Sequence, residues 1–122
     1  MERMYMGELD GSSVRVIEKY PNGIISMHPL ELTDSLQYWD HSPTGFGWGY
    51  RGSGASQLAK ALLLDVYKDA RDPKAIVEQC AHRFKTGIIQ DLQCGWALRE
   101  TEITNFVLMC FIEDSMNIFE VS

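Results

Sequence analysis

The chain has 122 residues, of which 45% are hydrophobic and 23% charged, and its formal net charge at neutral pH is −6. This length and composition predict a single globular domain over residues 1–122 and exclude an intrinsically disordered chain. The acidic balance disfavours general nucleic-acid binding, because proteins that bind phosphate backbones present a basic footprint to them.

The three cysteines and the absence of long apolar runs bear on the cellular compartment. No C-x-x-C spacing is present, which disfavours a disulfide framework and favours a reducing environment. No segment resembles a signal peptide or reaches the length of a membrane span, so we expect a soluble cytoplasmic protein. The histidines and cysteines are not at ligand spacing, and we expect neither a metal site nor a cofactor.

The first thirty residues predict a small antiparallel sheet. Strand-like segments at residues 4–6 and 14–17 flank Asp10-Gly11, which is a strong two-residue turn signal, and together they predict a β-hairpin. Residues 24–27 predict a third strand. It is expected to end before His28 because proline restricts the backbone of the residue that precedes it.

The rest of the chain predicts helices. The clearest covers residues 54–69, where apolar residues recur at helical spacing. Asp72-Pro73 predicts the start of a second helix, since aspartate is a preferred N-cap and proline is tolerated in the first turn. A third helix is predicted over residues 101–114, although residues 106–112 would also fit a buried strand.

For two segments the sequence does not decide between two possible structures. Residues 86–96 fit either a continuation of the second helix or a strand, and residues 30–40 fit an extended connection or a short helical turn. Because strands precede helices, the fold class is predicted to be α+β. The N-terminal hairpin and one or two further strands would form an antiparallel sheet packed against two or three helices.

The candidate functional segment is 41-HSPTGFGWGYRGSGASQ-57, which leads directly into the first predicted helix. A helix N-terminus exposes unpaired N–H groups that favour a phosphate or carboxylate, and glycines allow close approach of the backbone. Arg51 could bind an oxyanion, and alternating aromatic residues would lie on one side of an extended segment and stack against a base. The candidate ligand-binding residues are therefore His41, Ser42, Thr44, Phe46, Trp48, Tyr50, Arg51, Gly52, Ser53, Gly54, Ser56 and Gln57.

A purely structural interpretation explains much of the same segment. Ser53 or Gly54 could cap the helix, and the glycines could allow a compact loop over the core. Aromatic residues that alternate are also typical of a half-buried strand. Neither a Walker sequence nor a G-x-G-x-x-G fingerprint is present.

The string 41-HSPTGFGWGYRGSGASQLA-59 resembles the central motif of a family of small uncharacterised single-domain proteins from bacteria and their phages. Those proteins usually have proline where this chain has Ala55, a difference that affects the first helical turn and none of the candidate ligand groups. The resemblance implies a class and a compartment rather than a reaction. It also implies a phage setting, in which small acidic proteins often antagonise host defence.

These observations predict an accessory binding protein that holds a phosphate-bearing or nucleotide-like ligand at residues 41–57 without turnover. The alternative is a protein–protein inhibitor that contacts a host defence protein through the same loop, with Trp48, Tyr50 and Arg51 as the interface residues. A third option is a nucleotide-processing enzyme that uses His41. Adjacent Asp40 and Ser42 do not by themselves give triad geometry, and we assign no catalytic residue.

The C-terminal tail is unusually apolar. It is predicted either to return to the sheet as an edge strand or to pack in a homo-oligomer interface. The apolar residues concerned are Met109, Phe111, Met116, Ile118 and Phe119.

Overall fold

The computed structural model describes the backbone of residues 1–120 and the side chains of residues 1–116. Four strands form one antiparallel sheet: β1 (Glu2–Gly7), β2 (Val14–Lys19), β3 (Ile25–Pro29) and β4 (Ala97–Arg99). Their order across the sheet is β3-β2-β1-β4. The predicted hairpin with two further strands is therefore confirmed, and with it the α+β fold class.

The β1–β2 hairpin has a longer connection than the sequence predicts. Tyr5 lies opposite Val16 in the register, and residues 8–13 connect the strands in place of a two-residue turn at Asp10-Gly11. The Asp10 carboxylate holds this loop, because it accepts hydrogen bonds from the backbone N–H groups of Ser12 and Ser13 at 2.9 and 2.8 Å. The pKa of Asp10 is lowered by a hydrogen bond from the Ser13 hydroxyl and, to a smaller extent, by these two backbone bonds.

The third strand extends further than predicted. β3 includes His28 and Pro29, which pair with Val16 and Arg15 of β2, so the predicted end before His28 is wrong. β3 lies at an edge of the sheet, and an edge strand tolerates proline because one side of it forms no ladder hydrogen bonds.

Four helices follow: α1 (Leu32–Leu36), α2 (Ser53–Val66), α3 (Pro73–Gly87) and α4 (Glu100–Glu120). The predicted cap of α3 is confirmed, since the Asp72 carboxylate accepts a hydrogen bond from the N–H of Ala75 and Pro73 occupies the first turn. α2 ends at Val66 rather than at residue 69, because residues 67–70 close a turn through the N–H of Ala70 and the carbonyl of Tyr67.

The two open segments take definite structures. Residues 30–40 contain the short helix α1. Residues 86–96 are neither a continued helix nor a strand: α3 ends at Gly87, a 3₁₀ turn covers Ile89–Asp91, and a loop leads to β4. Residues 106–112 are helical, within α4.

The core lies between one face of the sheet and the helices. Tyr5, Val16 and Leu98 are buried on this inner face, in register with one another across β2, β1 and β4. The Tyr5 hydroxyl donates a hydrogen bond of 2.6 Å to the carboxylate of Asp65, which ties the sheet to α2. Burial and the nearby Asp65 carboxylate raise the pKa of Tyr5.

The side chains next to Tyr5, Val16 and Leu98 along their strands point to the opposite, outer face of the sheet. Met4, Ile17 and Met27 form a row across this outer face. No helix among residues 1–120 is both long and apolar enough to cross a membrane.

The apolar C-terminal segment belongs to α4, which runs to Glu120. The predicted return to the sheet as an edge strand is wrong for this part of the chain, because a helix satisfies its own backbone hydrogen bonds. The side chains of Ile118 and Phe119 lie outside those described.

Candidate functional site

The candidate loop is attached to α2 by the side chain of Gln57, which is fully buried. Its amide oxygen accepts hydrogen bonds from the backbone N–H groups of His41 and Ser42 at 2.9 and 3.2 Å. Its amide nitrogen donates a bond of 2.8 Å to the hydroxyl of Ser35, in α1. Gln57, a predicted ligand group, therefore holds the start of the loop against two helices.

Glycine allows the same loop to contact the helix backbone. A Cβ on Gly54 would lie 2.9 Å from the backbone nitrogen of Gly47, so position 54 has no room for a larger residue without movement of the loop backbone. Gly49 has φ +78° and donates its N–H to the carbonyl of Ile89 at 3.1 Å. These glycines pack the loop against α2 and the 3₁₀ turn.

The three alternating aromatic residues of the loop do not lie on one side, contrary to the prediction. Phe46 and Trp48 are buried in the core, whereas Tyr50 is exposed. The reason is the glycines between them, which turn the chain so that the Tyr50 ring folds back over Gly47 and Gly52. Of the predicted aromatic wall, only Tyr50 remains on the surface.

The first turn of α2 has no side-chain cap. Gly52 is the N-cap residue, in place of Ser53 or Gly54, and Ser53 is exposed as the first helical residue. Two other hydroxyls of the segment donate to local carbonyls, Ser42 to Gly45 at 2.7 Å and Ser56 to Gly52 at 3.3 Å, and Thr44 is exposed. Ser42 thus makes no hydrogen bond with His41.

The accessible chemistry of the segment centres on His41. Its Nε2 lies 2.9 Å from Nζ of Lys60, one helical turn beyond Gln57 on α2. Although His41 is exposed overall, partial desolvation lowers its pKa, and the ammonium groups of Lys60 and Lys85 lower it further against an opposing effect of Asp40. The neutral imidazole can accept the hydrogen bond that the Lys60 ammonium donates.

Two further aromatic residues border this contact. The Tyr38 and Trp39 rings lie with their centroids 5.5 Å apart. The Lys60 ammonium is 5.3 Å from the Trp39 ring centroid, and the Lys74 ammonium is 5.0 Å from that of Tyr38. Both distances are typical of cation–π contacts.

We name His41, Arg51, Lys60 and Lys85 the basic patch: Lys60 and Lys85 act on His41, and Arg51 precedes α2, about 10 Å along the helix axis from Lys60. Within the described part of the chain, Arg51, Lys60 and Lys85 form no salt bridge with a carboxylate. Lys60, Lys85 and the Tyr38–Trp39 pair were not among the residues predicted from the sequence. One signal was available for Lys60, since it is the only basic residue of α2.

A surface depression of about 230 Å³ lies beside this region, between α1 and the C-terminal half of α2. Its lining includes Asp34, Tyr38, Asp65 and Lys68 and no residue of 41–57. The candidate segment thus contributes a convex surface next to this depression rather than its walls.

The fold is that of a small α+β protein, with the segment 41–57 packed on the start of α2. The chain belongs to a family of unknown function, DUF6166, whose model matches residues 5–109. No curated protein and no solved structure matches the chain.

Proposed function

We propose that the protein binds a phosphate-bearing, nucleotide-like ligand at the basic patch and sequesters it without turnover. The observation that carries this proposal is the contact between His41 and Lys60, with Lys85 nearby, on the surface of a chain whose net charge is −6. Lysine ammonium groups that form no salt bridge, and that repel the protonated form of a neighbouring imidazole, are stabilised by an anion between them.

The length of the patch fits a ligand larger than a single phosphate. Arg51 precedes the first turn of α2, and Lys60 lies about 10 Å further along the helix axis at 1.5 Å per residue. The uncapped N–H groups of the first turn add donors at the Arg51 end. At the other end, Tyr38 and Trp39 supply flat surfaces against which a base can stack.

The biological setting is part of the same proposal. The resemblance of residues 41–59 to proteins of bacteria and phages supports a phage-type accessory protein with an anti-defence role in the host cytoplasm. A protein that sequesters a nucleotide signal needs affinity and no catalytic group, which agrees with a patch whose imidazole is hydrogen-bonded to Lys60 rather than to a nucleophile.

The alternative proposal is an inhibitor of a host defence protein that uses the same loop. It is favoured by the exposure of Tyr50 next to Arg51, which are residue types enriched among interface hot spots. Trp48 cannot contribute directly to such an interface in this conformation, because its side chain is buried.

Replacing Lys60 by glutamine is expected to weaken nucleotide binding about tenfold, since one charge-assisted hydrogen bond contributes roughly 1.5 kcal/mol. Calorimetry against mono-, di- and triphosphate nucleotides, cyclic nucleotides and inorganic phosphate measures the change. Lys19→Gln is the matched control, because Lys19 is an exposed lysine on the outer face of the sheet, on the side away from the helices. Arg51→Ala tests the other end of the patch.

No heat with any of these compounds, or equal affinity of the wild type and Lys60→Gln, contradicts the nucleotide proposal. If the protein instead co-purifies with a defined host protein and Tyr50→Ala removes that partner, the inhibitor alternative holds.

Ligand affinity is expected to rise as the pH falls from about 7.5 to about 6, a range that includes the ordinary histidine pKa of about 6.5. In the free protein, partial desolvation and the neighbouring lysines lower the pKa of His41, so the ring is neutral at pH 7.5. A bound anion takes the hydrogen bond of Lys60 and stabilises the imidazolium, so binding is linked to proton uptake.

The probe for this linkage is a cyclic nucleotide, whose phosphodiester does not titrate in the range. Calorimetry in two buffers of different ionisation enthalpy gives the number of protons taken up, and His41→Gln removes the uptake. An affinity that is the same at both pH values, in wild type and variant alike, contradicts a role for His41 at the site.

A further inference from the structure

The outer face of the sheet carries apolar residues that no helix covers in the described part of the chain. Met4, Ile17 and Met27 form one row across β1, β2 and β3. Ile25 and Met27 are 60% and 57% exposed. Neighbouring strands are about 4.8 Å apart, so the row spans about 10 Å.

This face is predominantly basic and has a depression of about 640 Å³ at one end. The lining of the depression includes Met1, Met4, Ile17 and Ile25, and also Glu100, Thr101 and Thr104 at the start of α4. The basic residues at the outward positions of the register are Arg15, Lys19 and Arg99, against the carboxylate of Glu2. Among the described residues at these positions, Arg15 alone forms a salt bridge, with Glu8.

The outer side of α4 is acidic and convex, and it is therefore complementary to the sheet face in charge and shape. Leu108, Met109, Ile112 and Met116 are 57%, 52%, 42% and 56% exposed. They lie on the side of the helix away from the buried Ile103, Val107 and Cys110. From Leu108 to Met116 the stripe is about 12 Å long, close to the length of the apolar row on the sheet.

α4 carries acidic residues and no lysine or arginine between residues 100 and 120. Glu102 and Glu113 are exposed beside the apolar stripe, and Glu113 also lies 3.8 Å from the Arg83 guanidinium of α3. A helix that is apolar on two sides is typical of one that is covered on both. A convex, acidic, apolar helix and a basic, apolar sheet face with a depression at one end are therefore present on the same molecule.

We propose that the protein assembles head to tail, with the outer side of α4 of one copy packed on the outer face of the sheet of the next. A helix layer over an open sheet face is the ordinary way in which such a face becomes buried. Because the two surfaces differ, the contact is heterologous and repeats from copy to copy, which gives a ring or an open filament.

Charge complementarity favours this head-to-tail arrangement over a symmetric dimer. Pairing α4 with α4 brings together two helices without a basic residue, and pairing sheet with sheet brings Arg15, Lys19 and Arg99 against their own copies. Helix on sheet joins opposite charges at an apolar centre. The occupant of each surface is thus a second copy of this chain.

The test uses one disabling substitution on each surface. Ile112→Glu and Met27→Glu each place a carboxylate in one apolar patch, and both positions are exposed, so folding is retained and is checked by circular dichroism. Leu9→Glu is the matched control, because Leu9 is an exposed apolar residue in the β1–β2 connection, away from both surfaces.

Sedimentation velocity of the wild type and the Leu9 control is expected to show masses that rise above 13.9 kDa with concentration. Each single variant is expected to remain far more monomeric at the same concentrations. An equimolar mixture of Ile112→Glu and Met27→Glu is expected to form a 1:1 dimer and nothing larger, since each mixed pair retains one intact interface. Raising NaCl from about 0.05 M to about 0.5 M should weaken association by screening the charges.

Other results overturn the proposal. A wild type that stays at 13.9 kDa up to millimolar concentration excludes self-assembly through these faces. If only Ile112→Glu disrupts association and the mixture restores nothing, the contact is symmetric through α4. If only Met27→Glu does so, it is symmetric through the sheet.

Discussion

Replacing Trp48 by alanine is expected to lower the free energy of unfolding by about 3–5 kcal/mol, the usual cost of removing a large aromatic side chain from a core. Trp48 is buried and meets Trp96 edge to face, with ring centroids 5.5 Å apart and planes at 81°. Trp96 in turn packs on β1 at Gly7, where a side chain would overlap the indole. Chemical denaturation of the purified variant measures the loss.

Tyr50→Ala provides the matched control, because it removes an aromatic ring of the same loop that is exposed. Its effect on stability should stay below about 1 kcal/mol. The opposite pattern, a stable Trp48→Ala protein with altered ligand binding, would show that Trp48 leaves the core to contact a ligand.

Replacing Gln57 by leucine is expected to lower the free energy of unfolding by about 2–4 kcal/mol. Leucine is similar in size and suits the buried site, so the cost comes from polar groups that lose their partner. The backbone N–H groups of His41 and Ser42 and the hydroxyl of Ser35 lose the bonds that Gln57 makes. An unsatisfied buried group costs roughly 1–3 kcal/mol, and partial access to water reduces the cost at His41.

Gln37→Leu is the control for this substitution. Gln37 is exposed and bonds only to the carbonyl of Asp34 at 3.0 Å, so its replacement should change stability by less than about 0.5 kcal/mol. Hydrogen exchange adds a second readout, since the amides of His41 and Ser42 should exchange faster in Gln57→Leu. Unchanged stability and exchange would mean that the loop is held without Gln57.

Local sequence signals predict much of the fold. The Asp72-Pro73 start of α3 and the alternation of β1 and β2 depend on neighbouring residues, and they were predicted correctly. β4 was missed because it has three residues and exists only through pairing with β1, a contact between Tyr5 and Leu98 that no local pattern encodes. The end of β3 was misplaced because its edge position, which tolerates Pro29, is a property of the whole sheet.

For the candidate segment, the sequence leaves the role of each residue open. Glycine, serine and glutamine can approach a ligand or the protein's own backbone equally well. In the folded protein Gly54 and Gln57 contact the backbone of the loop, so their partner is the protein itself. Lys60 and Lys85 were overlooked because they come to His41 from two helices, at separations of 19 and 44 residues that no motif spans.

The pairing of β1 with β4 has a consequence for synthesis of the protein in the cell. β1 leaves the ribosome before β4 and cannot complete its place in the sheet until residues 97–99 have followed, about ninety residues later. Until then the β1 edge that will bind β4 is unpaired, and Tyr5 lacks the neighbour that covers it. A nascent chain stalled before β4 should therefore be sensitive to protease and prone to associate through that edge, and it should become resistant once Arg99 has cleared the exit tunnel.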